Sequence, residues 1–215
     1  MSGKRVLDPA IVRALVEARA DFKSHADTLT KLLSRTGGIL DHHFELQSGA
    51  HAQYFLRFAD VARRPEDVAT IAKVFASVVP KNSVVLCPES SGVALAAALR
   101  DVLGAELAIV GVDEHRRPLP ALRKGEIAWR KTFIVNDVVT TGASLARLVA
   151  VAREHKAELA GVVAFAVHKG ANLGALPALE GLPIHVPLQL NWETYSAPCP
   201  LCAVAGPAIP ALELN

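Results

Sequence analysis

The stretch FIVNDVVTTGAS, Phe133 to Ser144, decides the fold. Phe133 to Val135 is an apolar run of the kind that fills a strand buried on both faces. An amide, Asn136, and an acid, Asp137, end the run, and Thr140, Thr141, Gly142, Ala143 and Ser144 make a hydroxyl-rich turn. From Leu145 to His155 the apolar spacing becomes helical. Backbone amides at a helix start are unpaired and carry partial positive charge. Three hydroxyl side chains stand beside them, and a glycine lets an anion approach closely, so the turn suits a phosphate monoester. It contains no lysine, which separates it from the nucleoside triphosphate loop. A carboxylate just before such a cradle can accept hydrogen bonds from two vicinal hydroxyls. Phosphate at one end and a diol at the other describe a ribose 5-phosphate. The plainer reading is a capped helix with an acid in its turn.

Outward from this motif the alternation repeats. Val84–Leu86 is a short apolar strand, followed by CPESSG (Cys87–Gly92) and the helical run VALAAALRDVL. Leu107–Val112, Gly161–Val167 and Ile184–Val186 read as further strands. Apolar strands alternating with helices imply a mostly parallel sheet covered on both faces, here five-stranded, with ligands beyond the carboxyl ends of the strands. Loops 87–92, 113–131 and 136–144 therefore converge. The segment 113–131 is polar, holds two prolines and has no period, so it reads as a loop. Upstream, Asp8-Pro9 marks a helix start, with Ile11, Leu15, Val16 and Phe22 at helical spacing, as are Leu29, Leu32 and Leu33. Residues 39–62 alternate in short extended runs with a turn at Ser48-Gly49, and Pro65 opens a helix expected to reach Val79. The expected division is helices and a small hood in 1–65, an α/β core in 66–190 and an irregular tail in 191–215.

Composition excludes several classes. With 51% hydrophobic and 20% charged residues the chain is globular rather than disordered. A formal charge of +2 is too weak to argue for nucleic acid or an anionic membrane surface, and no apolar run is long enough for a membrane span. No signal-peptide pattern opens it, and three cysteines make no disulfide framework, so a reducing cytoplasm is the expected setting.

The motif IVNDVVTTGAS resembles the phosphoribosyl-diphosphate (PRPP) binding motif of the type I phosphoribosyltransferases, with the likeness extending over residues 35 to 200. FELQSGAHAQYFLRF is similar to the hood segment of the orotate phosphoribosyltransferases, in which Phe-x-Leu-x-Ser-Gly precedes an aromatic pair, here Tyr54 and Phe55. CPLC followed by AGPAIP is similar to C-termini in part of that family. The resemblance implies that a base nitrogen, most naturally that of orotate, is joined to C1 of PRPP with release of pyrophosphate. It further implies Mg2+ carried with PRPP, a homodimer and a role in pyrimidine biosynthesis. Carried over by residue, Thr140, Thr141, Gly142, Ala143 and Ser144 would hold the 5-phosphate, and Asn136 with Asp137 the ribose hydroxyls. Glu89, Ser90, Ser91, Gly92 and Arg117 would meet pyrophosphate, with Arg116 as the loop cation that grips it. Phe55, Gln47 and Lys169 would meet the base.

The chain departs from the family at charged positions. Asn136 stands where a second acid is usual: it can still hydrogen-bond a hydroxyl but offers no charge to an oxocarbenium-like transition state. Ser90 and Ser91 occupy a loop that usually holds a lysine, and Gln47 replaces a hood lysine. Lys169 replaces an arginine, losing its bidentate fork. In DEHRRPLPALRKGE the cations His115, Arg116, Arg117, Arg123 and Lys124 do not match the family's loop residue by residue. Two alternatives to the orotate reading therefore stay open: a transferase for another base, and a non-catalytic PRPP or nucleotide sensor. A serine hydrolase lacks support, because no Gly-x-Ser-x-Gly elbow is present. Cys199 and Cys202 form a CxxC that reads as an inert pair, or as half of a zinc site shared across a dimer. His42 and His43 are adjacent on an extended segment and point to opposite faces, so they do not share a metal.

Overall fold

The computed structural model describes residues 7–90 and 92–211. In chain order the elements are α1 (Pro9–Leu15), β1 (Val16–Ala18), α2 (Ala26–Thr36), β2 (Ile39–Glu45), β3 (His51–Leu56), α3 (Phe58–Val61) and α4 (Pro65–Val74). Then follow β4 (Val84–Pro88), α5 (Val93–Leu103), β5 (Glu106–Val112), β6 (Pro118–Lys124), β7 (Lys131–Val139), α6 (Ala143–Glu154) and β8 (Glu158–His168). The chain continues with β9 (Ile184–His185), β10 (Leu188–Leu190), β11 (Thr194–Tyr195), α7 (Pro200–Ala205) and β12 (Ile209–Pro210).

Two sheets are formed. The main one runs β1-β10-β8-β7-β4-β5-β6, with β9 pairing β8. Its inner five strands, β10-β8-β7-β4-β5, are mutually parallel; four of them are expected strands, whereas the expected strand at Ile184–Val186 is the short β9 on β8, and β10 takes the fifth place. Antiparallel β1 and β6 extend it at the two edges. Period-two alternation sorts its side chains into two cores. Val85, Cys87, Phe133, Val135, Val163 and Phe165 pack on one face with Leu95 and Leu99 of α5. On the other face Val84, Leu86, Ile134, Val162 and Ala164 pack with Leu145 and Leu148 of α6. Both faces are dry, which is why these strands read as unbroken apolar runs.

The smaller sheet, β11-β3-β2-β12, is the hood. Its β2–β3 hairpin turns at Ser48-Gly49 as expected, with Gly49 at φ 77° and Leu46 and Ala50 joined at 2.8 Å. Both of its edges come from the C-terminal segment. The tail expected to be irregular is thus ordered from Thr194 to Ala211, because the open edges of a two-stranded hairpin gain ladder bonds from it.

Other boundaries differ from expectation for local reasons. Asp8 caps α1 through a 2.7 Å bond from the Ala10 amide, but the helix stops at Leu15 because Val16 is drawn into the edge strand β1, and Ile11 faces solvent. α4 ends at Val74, five residues short of Val79, with Phe75 turned into the core at 0% exposure. Segment 113–131 is no open loop: prolines at 118 and 120 did not prevent β6, since an edge strand tolerates missing donors.

Phe165 in β8 is fully buried and meets Phe58 of α3 with ring centroids 5.2 Å apart, tying the N-terminal helices to the sheet. Phe165→Ala should lower unfolding free energy by about 3–5 kcal/mol, measured by urea denaturation.

Candidate active site

Chain direction sets the place of the site. From β4 the chain moves through α5 to β5 on one side; from β7 it moves through α6 to β8 on the other. The reversal falls between β4 and β7, which pair in parallel at Val84–Thr132, Val85–Phe133 and Leu86–Ile134. A crevice opens beyond the carboxyl ends at such a point. Two loops enter it, 89–92 after β4 and 140–142 after β7.

Glycines let these loops close in. Gly92 has φ 76°, and a Cβ on it would lie 3.1 Å from both the Asn136 Cα and the Val135 carbonyl oxygen. The first loop therefore lies directly on the backbone of the motif strand. Gly142, at φ 81°, caps α6 without a side-chain bond, and a Cβ there would collide with Leu176 and Leu173 at 2.5 and 2.8 Å. Thr140, Thr141 and Ala143 are exposed and Ser144 is half-buried, so the turn meets solvent on either side of the buried Gly142. The turn's own side-chain bond, Ala143 N–H to Thr141 Oγ1, is long at 3.4 Å.

Asn136 is 5% exposed and accepts the Asp137 amide on Oδ1 at 2.9 Å. Asp137 is half-buried and accepts the Val138 amide on Oδ1 at 2.6 Å. These bonds fix both side chains at the strand end. Asn136 has its amide nitrogen, and Asp137 its Oδ2, as the second polar atom.

Charge is arranged otherwise than the sequence led one to expect. Arg117, expected on pyrophosphate, is bound to Asp113 by Nε at 2.7 Å and by its own amide at 2.8 Å. The turn 113–117 is short enough for an acid at its start to reach the arginine at its end. Those bonds, led by the Arg117 amide, hold the Asp113 carboxyl below the usual carboxylate range. Arg116 is exposed at the tip in left-handed conformation, φ 58°. Glu89, expected beside pyrophosphate, receives Arg123 of β6 at 2.8 Å. Lys169 forms an ion pair with Glu193. Ser90 is half-buried in the β4 loop; Ser91 lies outside the described residues.

Gln47, expected near the base, donates from Nε2 to the His115 carbonyl at 2.7 Å, joining hood and β5–β6 turn. Phe55 rests on Phe44 with centroids 5.6 Å apart, while Tyr54, on the opposite face of β3, meets Trp192 at 6.0 Å. Cys87, entering the β4 loop, is fully buried, and burial pushes its thiol up to about 12, so it supplies no thiolate. A polar cleft of about 300 Å³ beyond the end of β8 is lined by Arg19, His168, Lys169, Asn172 and Gln189. Cys199 and Cys202 lie beside His43 and His51 of the hood, within one chain rather than across two. Sequence reasoning missed Glu193 and His51 and gave Arg123, one of the loop cations, no partner. Arg123 meets Glu89 from 34 positions away, Glu193 meets Lys169 from 24, and His51 meets His43 across a hairpin, so no local pattern marked these partnerships.

Residues 66–175 match the model of the phosphoribosyl transferase domain. An orotate phosphoribosyltransferase of Thermus thermophilus is 30% identical over 177 residues, covering 80% of this chain and 93% of the relative. The chain belongs to the phosphoribosyltransferase family. Another relative of this family, the orotate phosphoribosyltransferase of Caldicellulosiruptor saccharolyticus, is 28% identical over 83% of this chain and 92% of its own length. Among solved structures, the orotate phosphoribosyltransferase of Aeropyrum pernix superimposes with a TM-score of 0.60 at 20% identity, over 74% of this chain and 90% of that one. The Mycobacterium tuberculosis H37Rv orotate phosphoribosyltransferase in complex with Fe(III) dicitrate gives 0.57 at 19% identity, over 83% and 91%. These two likenesses establish the type I phosphoribosyltransferase fold. Within this family member, no helix of the described residues is long and apolar enough to cross a membrane.

His168 ends β8 at 7% exposure, with Nδ1 accepting the Gly170 amide at 3.1 Å. Burial lowers its pKa; the Trp192 backbone opposes the shift, Lys169 adds to it and Glu193 opposes it. A base whose folded pKa is depressed binds protons more weakly than in the unfolded chain. Its stability contribution is complete above the unfolded value of about 6.5 and falls as pH drops through the lowered folded value. Urea midpoints should therefore decline as pH is lowered past about 6.5, and decline less steeply in His168→Gln.

Proposed function

We propose that this phosphoribosyltransferase joins orotate to PRPP, giving orotidine 5′-phosphate and pyrophosphate. The observation that carries the reading is the β7–α6 junction. An acid fixed at the end of a buried strand leads, within three residues, into an exposed hydroxyl turn on a helix N-terminus. The names of the Thermus and Caldicellulosiruptor relatives supply the acceptor.

In this reading the amides and hydroxyls of Thr140–Ser144 receive the 5-phosphate, aided by the positive end of α6. Asp137 accepts from a ribose hydroxyl, and Asn136 donates through its amide nitrogen. Glu89, Ser90, Ser91 and Gly92 border the pyrophosphate, and Arg116 at the exposed turn tip supplies positive charge, offered across a homodimer. The oxygen donors at the crevice (Asp137, Asn136 and Glu89) suit a hard cation that keeps most of its waters, and Mg2+ would be held there together with PRPP. When bound, it supplies neutralisation of the departing pyrophosphate. The protein's part is alignment of C1 with the base nitrogen, and stabilisation of the charge that develops on the ribose ring. A cytoplasmic role in pyrimidine nucleotide synthesis follows from the same reading.

A different acceptor is favoured by one observation. The Lys169–Glu193 pair compensates the cation assigned to the orotate carboxylate, which suits a neutral base better. Pyrophosphate release should be measured with PRPP, Mg2+ and a panel of bases. Turnover with orotate supports the first reading, and turnover confined to a neutral base the second. Tight PRPP binding with no turnover on any base leaves only a sensor. Asp137→Asn should reduce kcat by about 10²–10³-fold, whereas Asn136→Asp should raise it, both at nearly constant Tm.

A further inference from the structure

We infer that the chain carries a structural Zn2+ site of type Cys2His2, built from His43 and His51 of the hood with Cys199 and Cys202 of the tail. The four donor atoms all lie within 4.8 Å of one another. His43 Nε2 is 2.9 Å from His51 Nδ1, 3.7 Å from Cys199 Sγ and 3.9 Å from Cys202 Sγ. Cys202 Sγ is 3.4 Å from His51 Nδ1. Tetrahedral zinc, with Zn–N near 2.0–2.1 Å and Zn–S near 2.3 Å, separates its ligand atoms by roughly 3.3–3.8 Å. The observed separations bracket that range, so small rotations of the side chains complete the tetrahedron.

The surroundings favour a metal over a chance meeting of side chains. His43 is 3% exposed, and its Nδ1 lies 2.7 Å from the Gly206 carbonyl. A carbonyl only accepts, so the proton is on Nδ1 and the lone pair of Nε2 is directed at the other three donors. Fixing a histidine tautomer through a backbone carbonyl is the usual support of a zinc ligand. Cys199 and Cys202 are brought to one side by the first turn of α7, where the Cys202 amide meets the Cys199 carbonyl at 3.2 Å. Two sulfurs and two imidazoles, with no carboxylate in the cluster, select zinc over magnesium or calcium.

Position indicates what the metal does. β11 reaches β3 at His51, where Tyr195 is its register partner, and β12 reaches β2 at Phe44, next to His43. The ion would clamp the tail to the hood where those short pairings are weakest. The two histidines also flank the turn that carries Gln47 to the His115 carbonyl, so the clamp sets the position of the hood over the β5–β6 turn.

The full-length protein, purified under reductant, is expected to retain one Zn2+ per chain by elemental analysis. Replacing it with Co2+ should give tetrahedral d–d absorption together with a thiolate charge-transfer band. Cys199→Ser, Cys202→Ser and His43→Ala should each lose both signals, while His42→Ala, altering the exposed neighbour, keeps them. Chelation should lower the Tm of the wild-type chain and leave that of the double cysteine variant unchanged. The Co2+ spectrum of the wild-type chain decides the matter even if a variant fails to fold. The inference is overturned by a reduced chain that retains no Zn2+ and takes up no Co2+. It is equally overturned by metal that persists in the double cysteine variant, or by a Cys199–Cys202 disulfide that survives the reductant.

Discussion

The parallel pairing of β4 with β7 is the constraint on which the rest of the molecule depends. Their side chains alternate between two dry cores, so neither strand can slip by one residue without exchanging its two faces. Fixed register sets where each strand stops: β4 ends at Pro88, while β7 runs on beside β8 to Val139. The loop leaving β4 then lies on β7 at Val135 and Asn136, where a Cβ on Gly92 would come within 3.1 Å of the strand backbone. The polar crevice is thus a by-product of apolar packing: the sheet decides where backbone amides and the Asp137 carboxylate are delivered, and the loops supply their chemistry.

Cations around this crevice are held in reserve by acids. Arg117 is bound to Asp113, Arg123 to Glu89 and Lys169 to Glu193. All three pairs are on the surface, where an ion pair contributes about 0–1 kcal/mol. An anion carrying several charges competes well against partners held so loosely, and the lysine-poor loops do not by themselves exclude pyrophosphate. Asn136 is a different matter, since no rearrangement of the surface restores a charge to the strand end.

The parts of this fold legible in the sequence are those governed by near neighbours. The unbroken apolar runs Val84–Leu86 and Phe133–Val135 gave away the buried strands, Asp8-Pro9 a helix start, and Ser48-Gly49 a hairpin. The crevice followed because a motif on one strand end implies the loop beside it. What stayed hidden depends on residues far apart in the chain. β6 escaped notice because its prolines are permitted only at an edge, and being at an edge is a property of the sheet. The tail looked irregular because two-residue strands have no period; they are strands only because β2 and β3 offer open edges. Ion pairing engaged Glu89 and Lys169 in the same way, through Arg123 and Glu193, which lie 34 and 24 positions away.

The hood takes its two inner strands from near the start of the chain and both outer strands from its last twenty or so residues. During synthesis the hairpin therefore leaves the ribosome long before the segments that complete it. The sheet core can close once residue 190 has emerged, but the hood remains a bare two-stranded ribbon until 194–211 arrive. A nascent chain halted before that point would possess the phosphate cradle and lack a finished roof.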